Sequence, residues 1–428
     1  AHPVRELTVR PLARGVQAVP DGNTATVTLP APGAYTVEAD GYHQALHVFF
    51  DPIRDFPAVA QGKAHILSFG PGVHEIGCMD LESDTAVLID RDAYLYGSFR
   101  AVCAENIDIL GYGVIDGSRE VRTDESRLLL NDYTAPLPAD RENILRRLKQ
   151  RHVLDGILRF YRCRHIRVEG PTLRDAATFA VIPAGCEDVT LENIKTIGMW
   201  RYNADGIDLF NCRDVRIRNC FLRNFDDCVV IKGIVGWDTA DNADILVEGC
   251  VVWCDWGRNL ELGAETNAPA FRNILFRNCD CIHGSTAFLD IQHHNRADIG
   301  QVTFENIRVE YTKHQLPDVF QNDMDAPYPT DTPVRHPLLF CLPIYRSGLF
   351  AEDGLNGQIH DITFRNIRIL TDAPEVPVPE SAFLGLDAEH TVERICIAGV
   401  TCNGERLATR EELRLHINEF VRDVTILP

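Results

Sequence analysis

Most of the chain repeats one short pattern of polar and apolar positions. A polar residue is followed by an aliphatic residue, a second polar residue, an aliphatic residue or Phe, a variable residue, and then Asn or Gly. Nine copies of this unit begin at Asn106, His165, Asp188, Asp214, Asp244, Asn273, Gln301, Asp361 and Arg394. Successive copies begin 23 to 33 residues apart, except for two gaps of 59 and 60 residues. The repeat predicts a solenoid with a long insertion in each of the two larger gaps.

Alternation with a period of two predicts a strand that turns one face inward. The second and fourth positions of the copies form two apolar columns, which run from Ile107 and Ile109 to Ile395 and Ile397. Asn and Gly, which end every copy, tolerate a left-handed turn better than other residues. One coil cannot bury its inward face alone, whereas stacked coils can. We therefore predict an all-β fold, a right-handed parallel β-helix; the leucine pattern of its rival, the leucine-rich repeat, is absent.

The pattern changes at both ends of the repeat region and inside the two gaps. Residues 1–57 contain short alternating runs separated by turn signals such as Asp21-Gly22 and predict a small antiparallel β domain, sandwich-like, before a β-helix over residues 58–428. The insertions at 118–155, with a helical stretch near 141–150, and at 312–358 are long for a compact repeat. Such loops are expected to wall a functional site or to pack against a second subunit in a homo-oligomer.

Two neighbouring segments carry the candidate chemistry. One reads Asn-Ala-Asp-Gly-Ile-Asp over residues 203–208, and the other reads Phe-Asp-Asp-Cys-Val-Val-Ile-Lys over 225–232. Asp205 and Asp226 are 21 residues apart, close to one coil, so Asp205, Asp226 and Asp227 should lie on adjacent strands. Hydrolysis of a glycosidic bond requires one protonated and one ionised carboxyl group. The alternative is a solvated acidic face or a calcium site.

These segments resemble the signatures of glycoside hydrolase family 28, the polygalacturonase family. The resemblance extends to Gly-Tyr-Gly-Val-Ile-Asp-Gly over 111–117 and covers roughly residues 60–310, while the N-terminal domain is more similar to family 49, which contains dextranases and isopullulanases. Family 28 implies an inverting hydrolase on a right-handed β-helix. By position, Asp226 would be the general acid, and Asp205 and Asp227 would hold the attacking water.

The chain departs from the family pattern on the two following coils. Arg258 stands where the family has the His of Gly-His-Gly, and Asp290 and Gln292 stand where it has the two cations of Arg-Ile-Lys, which bind a uronate carboxylate. Loss of that clamp favours a neutral sugar. Asp208, Glu261 and Asp290 are predicted to stack into an acidic column that repels uronates. The predicted substrate contacts are Asp208, Arg258, Glu261, Asp290, Gln292, Lys232, which is also a charge partner of the acids, and Trp256, a sugar platform or a core residue.

The composition of the chain limits the kinds of partner and cofactor that we expect it to bind. The net charge of −20 disfavours nucleic acid and anionic membranes, and no run of roughly 18 apolar residues predicts a membrane span. The 14 cysteines fall partly into columns and lack zinc-like pairs, which predicts buried free thiols and a cytoplasmic protein, with secretion as the alternative. We expect no cofactor and no metal, and we interpret His293-His294 as ordinary surface residues.

The leading hypothesis is an inverting hydrolase of a neutral α-linked oligosaccharide that attacks one end of the chain, because the insertions can block an open groove. Two alternatives remain. One is a hydrolase or lyase of pectin type, although a lyase needs a cation near the uronate. The other is a carbohydrate-binding β-helix without activity, for which three clustered aspartates are unnecessary.

Overall fold

The protein is described by a computed structural model that covers residues 4–41, 45–120, 156–234, 240–313, 336–347 and 354–428. The described residues form 38 strands, one short helix, α1 (Phe56–Val59), and one 3-10 turn, Leu12–Arg14. No helix among them is long and apolar enough to cross a membrane. The predicted helical stretch near 141–150 and most of both insertions lie outside the described residues.

The N-terminal residues form a three-stranded antiparallel sheet and a separate hairpin. The five strands are β1 (Leu7–Arg10), β2 (Ala18–Asp21), β3 (Thr24–Val27), β4 (Gly33–Ala39) and β5 (Ala45–Phe50). The sheet has the order β1-β4-β5, and β2 pairs with β3. Gly22 makes the hairpin turn with a φ of 61°, as the Asp-Gly signal predicted. The domain boundary after residue 57 stays a prediction.

The remaining strands stack into three parallel sheets, numbered along the chain. The first sheet has twelve strands: β6 (His65–Phe69), β8 (Thr85–Ile89), β10 (Glu105–Gly111), β13 (Arg164–Glu169), β16 (Glu187–Glu192), β19 (Arg213–Arg218), β22 (Asn242–Glu248), β25 (Ala270–Arg277), β28 (Asp298–Glu305), β31 (Gln358–Arg365), β34 (Val392–Ala398) and β38 (Val421–Leu427). Each is one coil away from its neighbours. This confirms the right-handed parallel β-helix.

The second and third sheets both start from β7 (Gly72–Leu81) and β9 (Ala93–Val102), because the two halves of β9 pair with different strands. The second sheet continues through β11 (Val114–Asp116), β14 (Thr172–Arg174), β17 (Lys195–Met199), β20 (Phe221–Asn224), β23 (Val251–Cys254), β26 (Asp280–His283), β29 (Arg308–Tyr311), β32 (Arg368–Thr371) and β35 (Val400–Cys402). A last strand, β36 (Glu405–Leu407), pairs with β35 in the antiparallel direction. The third continues through β12 (Leu158–Tyr161), β15 (Val181–Ala184), β18 (Ile207–Phe210), β21 (Val229–Gly233), β24 (Arg258–Thr266), β27 (Ala287–His293), β30 (Leu338–Pro343), β33 (Ser381–Leu384) and β37 (Leu415–Ile417).

The first sheet contains all nine predicted copies of the repeat, with both apolar columns in register and buried. In the second column the rings of Phe276 and Phe304 stack with centroids 4.8 Å apart, and Phe364 follows at 5.2 Å. A tenth copy extends the columns with Val424 and Ile426. Sequence analysis missed it because Pro, rather than Asn or Gly, ends that copy.

The left-handed turn at the end of each copy is confirmed, since all nine Asn or Gly residues have φ between 54° and 135°. The first position of every copy is left-handed as well, with φ between 51° and 63°. That second kink was not predicted. It explains why Asp and Asn predominate there, because they tolerate this conformation better than other non-glycine residues.

The turn positions can be tested at Asn219, an exposed residue with a φ of 54°. We expect Asn219→Ala to lower the free energy of unfolding by about 1–2 kcal/mol, because alanine lacks the short polar side chain that lets asparagine tolerate left-handed backbone. Asn219→Gly should stay close to the wild type, since glycine adopts this conformation without strain. Urea unfolding of both variants checks this, and equal stability of the two variants would contradict it.

A buried charge cluster docks the N-terminal sheet on the second sheet of the β-helix. Arg10 of β1, which is 1% exposed, bonds Glu38 of β4 at 3.0 Å and Glu310 of β29 at 2.7 Å. Its third partner is Asp372 at 2.9 Å, and His283 of β26 lies 2.6 Å from the second oxygen of Glu38. Because every one of these charges has a partner across the contact, the N-terminal sheet has a defined position over the β-helix.

The cysteines are free thiols, all 14 of them, and nine are buried. Cys163 and Cys186 lie in one of the predicted columns, and the backbone N–H of Cys163 donates to the Cys186 sulfur at 3.4 Å. The columns are therefore stacks of like residues in the core, where a thiol behaves as a small apolar group. The cellular compartment stays a prediction.

Candidate active site

Three aspartates meet where the second sheet turns into the third. Asp205 directly precedes β18, and Asp226 and Asp227 occupy the turn between β20 and β21 on the next coil. The stacked turns are joined by backbone bonds, such as that from Gly206 N–H to the Asp227 carbonyl at 2.8 Å. The three side chains are 1%, 4% and 7% exposed, so nearly all of their surface is withdrawn from solvent. Adjacency of the three acids, predicted from the spacing, is thus present in the fold.

Gly257 allows the third coil to approach the acids. A Cβ atom at this position would lie 2.4 Å from one carboxylate oxygen of Asp226 and equally close to one of Asp227. No other residue would fit without moving both carboxyl groups. In return, the backbone N–H of Arg258 donates to Asp227 at 2.9 Å, and the N–H of Asp227 donates to Asp226 at 3.1 Å. The carboxyl groups of Asp226 and Asp227 therefore meet next to Gly257, and each accepts a hydrogen bond from a different backbone N–H.

Lys232 is the cation on the Asp205 side. Its ammonium nitrogen lies 2.9 Å from Asp205 and 2.8 Å from Asp208, over the ring of Phe179. Burial works to lower the pKa of Lys232, but the two carboxylates outweigh it and raise that pKa well above its usual value. Burial raises the pKa of Asp208 to about 7, against the opposing effect of Lys232. Lys232 thus has the position of the predicted charge partner.

Arg258 is the cation on the opposite side. Its Nε lies 2.9 Å from Asp290, and an Nη donates to the Gln292 side-chain oxygen at 3.2 Å. Asp227 and Glu261 are further away, at 3.9 and 3.6 Å. Burial raises the pKa of Asp290 to about 6, while Arg258 opposes it. Burial and the neighbouring Asp227 raise the pKa of Glu261 well above its usual range.

Only Glu261 and Asp290 of the predicted acidic column are neighbours, and none of its three members is exposed. Glu261 pairs in register with Asp290 on β27, and Val230 of β21 separates Glu261 from Asp208. Asp208 and Glu261 are 0% exposed and Asp290 is 1% exposed. The expectation of an exposed acidic column is therefore wrong. Buried carboxylates require counter-charges, and these three side chains lie against Lys232 and Arg258.

Asp226 differs from its two neighbours in its charge environment. Burial raises its pKa well above the usual range, and the adjacent Asp227 raises it further. Lys232 and Arg258 oppose this effect, but they make their short contacts with Asp205 and Asp290. Carboxyl groups in one site whose environments separate their protonation states are suited to acid and base roles. Burial raises the pKa of Asp205 well above its usual range too, but the Lys232 ammonium lies 2.9 Å from that carboxyl group and opposes the shift, so Asp226 is the better placed of the two to carry a proton.

A cavity of about 660 Å³ opens beside the acids, within the size range of ligand pockets. Trp256 and Arg258 line the end near the acids, and Trp256 stacks on Phe225 with centroids 5.6 Å apart and an angle of 9°. His336 and Leu338, which also line the cavity, belong to the insertion at 312–358 that was expected to wall a functional site. The remaining lining residues were missed by sequence analysis: Ser285, Thr286, Pro377, Val378, Pro379, Glu380 and Arg414. The stacking of coils brings these residues to one cavity, and no local pattern marked them.

The interpretation of His293 and His294 as ordinary surface residues is wrong. His293 is 0% and His294 is 9% exposed, because β27 continues inward at this point. His293 bonds the hydroxyl of Thr266 at 2.7 Å, and His294 stacks on Tyr345 at 4.4 Å. Within the described ranges, no group of three or more His, Cys, Asp or Glu side chains is arranged to hold a metal ion.

The family model that matches this chain is described as glycosyl hydrolases family 28, and it aligns with residues 85–333. This match spans more than half of the chain and both aspartate segments. The chain belongs to glycosyl hydrolase family 28. Membership of this family makes hydrolysis of a glycosidic bond the activity to consider for the site.

Two curated relatives agree with this class. A dextranase from Arthrobacter globiformis is 22% identical over 274 residues, which are 58% of this chain and 40% of that protein. A probable polygalacturonase from Vitis vinifera is 31% identical over 74 residues, 17% of this chain and 15% of the relative. The chain thus spans less than half the length of the curated relatives it matches.

Two solved structures share the fold. Dex49A from Penicillium minioluteum superposes with a TM-score of 0.62 and 12% identity, covering 98% of this chain and 78% of that one. The family 28 exopolygalacturonase of Yersinia enterocolitica gives a TM-score of 0.53 and 16% identity, covering 94% and 85%. Both comparisons extend over the N-terminal sheet as well as the β-helix of this family 28 protein.

Proposed function

We propose that this family 28 protein is an inverting hydrolase that cleaves a neutral α-linked oligosaccharide, with Asp226 as the general acid. The observation that carries the proposal is the asymmetry among the three aspartates. Burial raises the pKa of both Asp205 and Asp226, but Asp205 lies 2.9 Å from a lysine ammonium, whereas Asp226 lies beside the like charge of Asp227, which accepts a backbone N–H. This environment supports one proton donor and two groups that can hold and deprotonate a water.

The three aspartates and one water account for every bond and proton that changes in the proposed reaction. Asp226 gives its proton to the glycosidic oxygen as the bond from that oxygen to the anomeric carbon breaks. A water held by Asp205 and Asp227 attacks the anomeric carbon from the opposite face and loses a proton to one of them. The products are a free sugar hydroxyl and a hemiacetal of inverted configuration, and the proton returns to Asp226 through solvent.

The charge arrangement supports a neutral substrate. Six carboxyl groups surround the site, Asp205, Asp208, Asp226, Asp227, Glu261 and Asp290, against the two cations Lys232 and Arg258. Both cations already have carboxylate partners within 3 Å, so neither offers unpaired positive charge to a uronate. Arg258 and Gln292 can instead exchange hydrogen bonds with sugar hydroxyls. The similarity to a dextranase, an enzyme named for a neutral glucan, is consistent with this class.

We also propose attack from one end of the sugar chain. In this proposal the segment Pro377–Glu380, which lines the 660 Å³ cavity, closes the groove on one side. Arg414 secures this segment with a bond to the Val378 carbonyl at 2.9 Å and with an ion pair to Glu380. A groove closed on one side suits removal of short units. The lack of disulfide bonds among the 14 cysteines suits a cytoplasmic enzyme that acts on imported oligosaccharides.

Product analysis on one reaction tests these proposals. A screen of chromogenic α-glycosides and neutral oligosaccharides identifies a substrate, and proton NMR then follows the first-formed anomer. We expect the β-anomer from an α-linked substrate, one small product throughout, and no unsaturated uronate. A first-formed α-anomer would contradict inversion, a ladder of intermediate lengths would contradict end attack, and an unsaturated product would show a lyase. No turnover across the screen would favour a binding protein.

A further inference from the structure

A second cleft lies on the outer face of the second sheet, and its lining residues differ from those of the cavity beside the aspartates. Its volume is about 430 Å³. The N-terminal sheet borders it through His47, and the β-helix supplies Tyr94, Arg174, Gly198, Trp200 and Arg223. Trp200 is 52% exposed, although most large apolar side chains of the β-helix are buried. A tryptophan at the rim of a cleft offers a rigid apolar face with one hydrogen-bond donor.

Hydrogen-bond donors converge over Gly198. A Cβ atom built on this residue would lie 3.7 Å from Nε of Arg174 and 3.9 Å from the indole nitrogen of Trp200. Gly198 has a φ of 67°, so a side chain at this position would be strained, although a Cβ atom would make only ordinary van der Waals contacts with the two groups. The guanidinium of Arg223 lies over one face of the Trp200 ring, 5.0 Å from its centroid. The arrangement combines an aromatic platform with three donor groups around one small space.

The charges of the cleft are balanced. Arg174 bonds the Tyr94 hydroxyl at 3.0 Å and lies 4.0 Å from Asp116. Arg223 pairs with Asp255 at 3.4 Å. Burial and Arg223 lower the pKa of His47 to about 4, so His47 is neutral at physiological pH. Both cations of the cleft have a carboxylate nearby that is outside the cleft lining, which favours an uncharged ligand rich in hydroxyl groups over an anion.

We propose that this cleft is a second carbohydrate site, which holds a neutral sugar unit of the glycan at a distance from the cleavage point. The apolar face of a pyranose packs on Trp200 while its hydroxyls accept hydrogen bonds from Arg174 and Arg223. Trp200 precedes Asp205 by five residues in the connection from β17 to β18, which places the two sites on either side of one turn. The inference rests on the proposed carbohydrate function, but it concerns binding rather than cleavage.

Affinity electrophoresis in gels that contain dextran, soluble starch or polygalacturonate tests this site without relying on turnover. The parent is Asp226→Asn, which leaves the glycan intact. We expect dextran or starch to retard the parent. Adding Trp200→Ala should raise the apparent Kd about tenfold, whereas Trp200→Phe should keep most of the affinity. Phe50→Ala, which removes another exposed aromatic side chain, is the matched control and should leave the retardation unchanged.

Kinetics of the otherwise wild-type enzyme separate this site from the catalytic one. Trp200→Ala should raise KM for long substrates about tenfold and leave kcat/KM for a chromogenic monosaccharide glycoside unchanged. Three results would overturn the site: retardation of the parent by neither α-glucan, retardation by polygalacturonate alone, or equal retardation with and without Trp200. Failure of the proposed function is a different result, because it abolishes turnover while the binding assay still reports on the cleft.

Discussion

Asp226→Asn is expected to lower kcat by about 10³-fold, within the range of 10² to 10⁴ that general acid catalysis contributes. The amide has the shape of the carboxyl group but cannot give a proton to the glycosidic oxygen. The loss should be much smaller for an aryl glycoside with an acidic leaving group, because such a group departs without a proton. Initial rates on both substrates measure the two effects.

Three results bear on the assignment of Asp226. Asp244→Asn changes an exposed aspartate on the first sheet that is left-handed with a φ of 59°, and it should leave activity unchanged. Asp227→Asn should lower the rate on both substrates alike, because the water must be activated whatever the leaving group. Activity of Asp226→Asn within threefold of the wild type, with the fold intact by circular dichroism, would remove Asp226 from the acid role.

Lys232→Met is expected to lower the free energy of unfolding by about 3–5 kcal/mol at pH 8 and to abolish activity. The ammonium group lies within 3 Å of Asp205 and Asp208, both of which are nearly inaccessible to solvent. Without it, two carboxyl groups remain buried without a nearby cation and must either bear an unpaired charge or take up protons. Urea unfolding at several pH values measures the loss.

The pH dependence follows from the pKa of Asp208, which is about 7 in the folded protein and roughly 3.9 in an unfolded chain. A carboxyl group with a raised folded pKa contributes stability that is present below pH 4 and lost as the pH rises through 7. Loss of the ammonium raises the folded pKa further, so the difference from the wild type should be smallest near pH 4 and largest near pH 8. Equal stability at pH 8 would contradict this.

Lys195→Met provides the matched control for the lysine. Lys195 is also buried, and its ammonium pairs with Asp51 at 2.8 Å, outside the candidate active site. Asp51 is partly exposed, so it can regain hydration when the lysine is lost. We expect a smaller loss of stability than for Lys232→Met, and unchanged activity per folded molecule.

The local pattern of the chain carried the prediction of the fold. Each copy of the repeat contains its own turn residue and its own two inward side chains, so nine copies specify the same coil independently of one another. Stacking coils of equal length then brings positions one coil apart together, which is why Asp205 and Asp226 were predicted to be neighbours. The tenth copy, at Val424, was missed because its turn residue is absent.

Burial of the acids and the contacts that accompany it were not visible in the sequence. Alternation shows that Asp208 and Glu261 point away from the core, but not whether other parts of the chain cover them. The same holds for His293, the last residue of β27, which is fully buried. The depth at which a carboxyl group lies decides its pKa, so the protonation states of the site depend on packing between coils.

The sequence by itself determined the solenoid, its family, the three aspartates and the loss of the two cations that bind a uronate. The solenoid and the adjacency of the aspartates follow from a repeat, which can be read one coil at a time. The family and the loss of the two cations follow from the resemblance of individual segments to family 28. Only the tertiary structure decided which charges meet across coils. It pairs Lys232 with Asp205 and Arg258 with Asp290, it docks the N-terminal sheet through Arg10, and it brings Arg414 to the cavity. Such contacts join residues tens to hundreds of positions apart, and their energies depend on burial that no local pattern records.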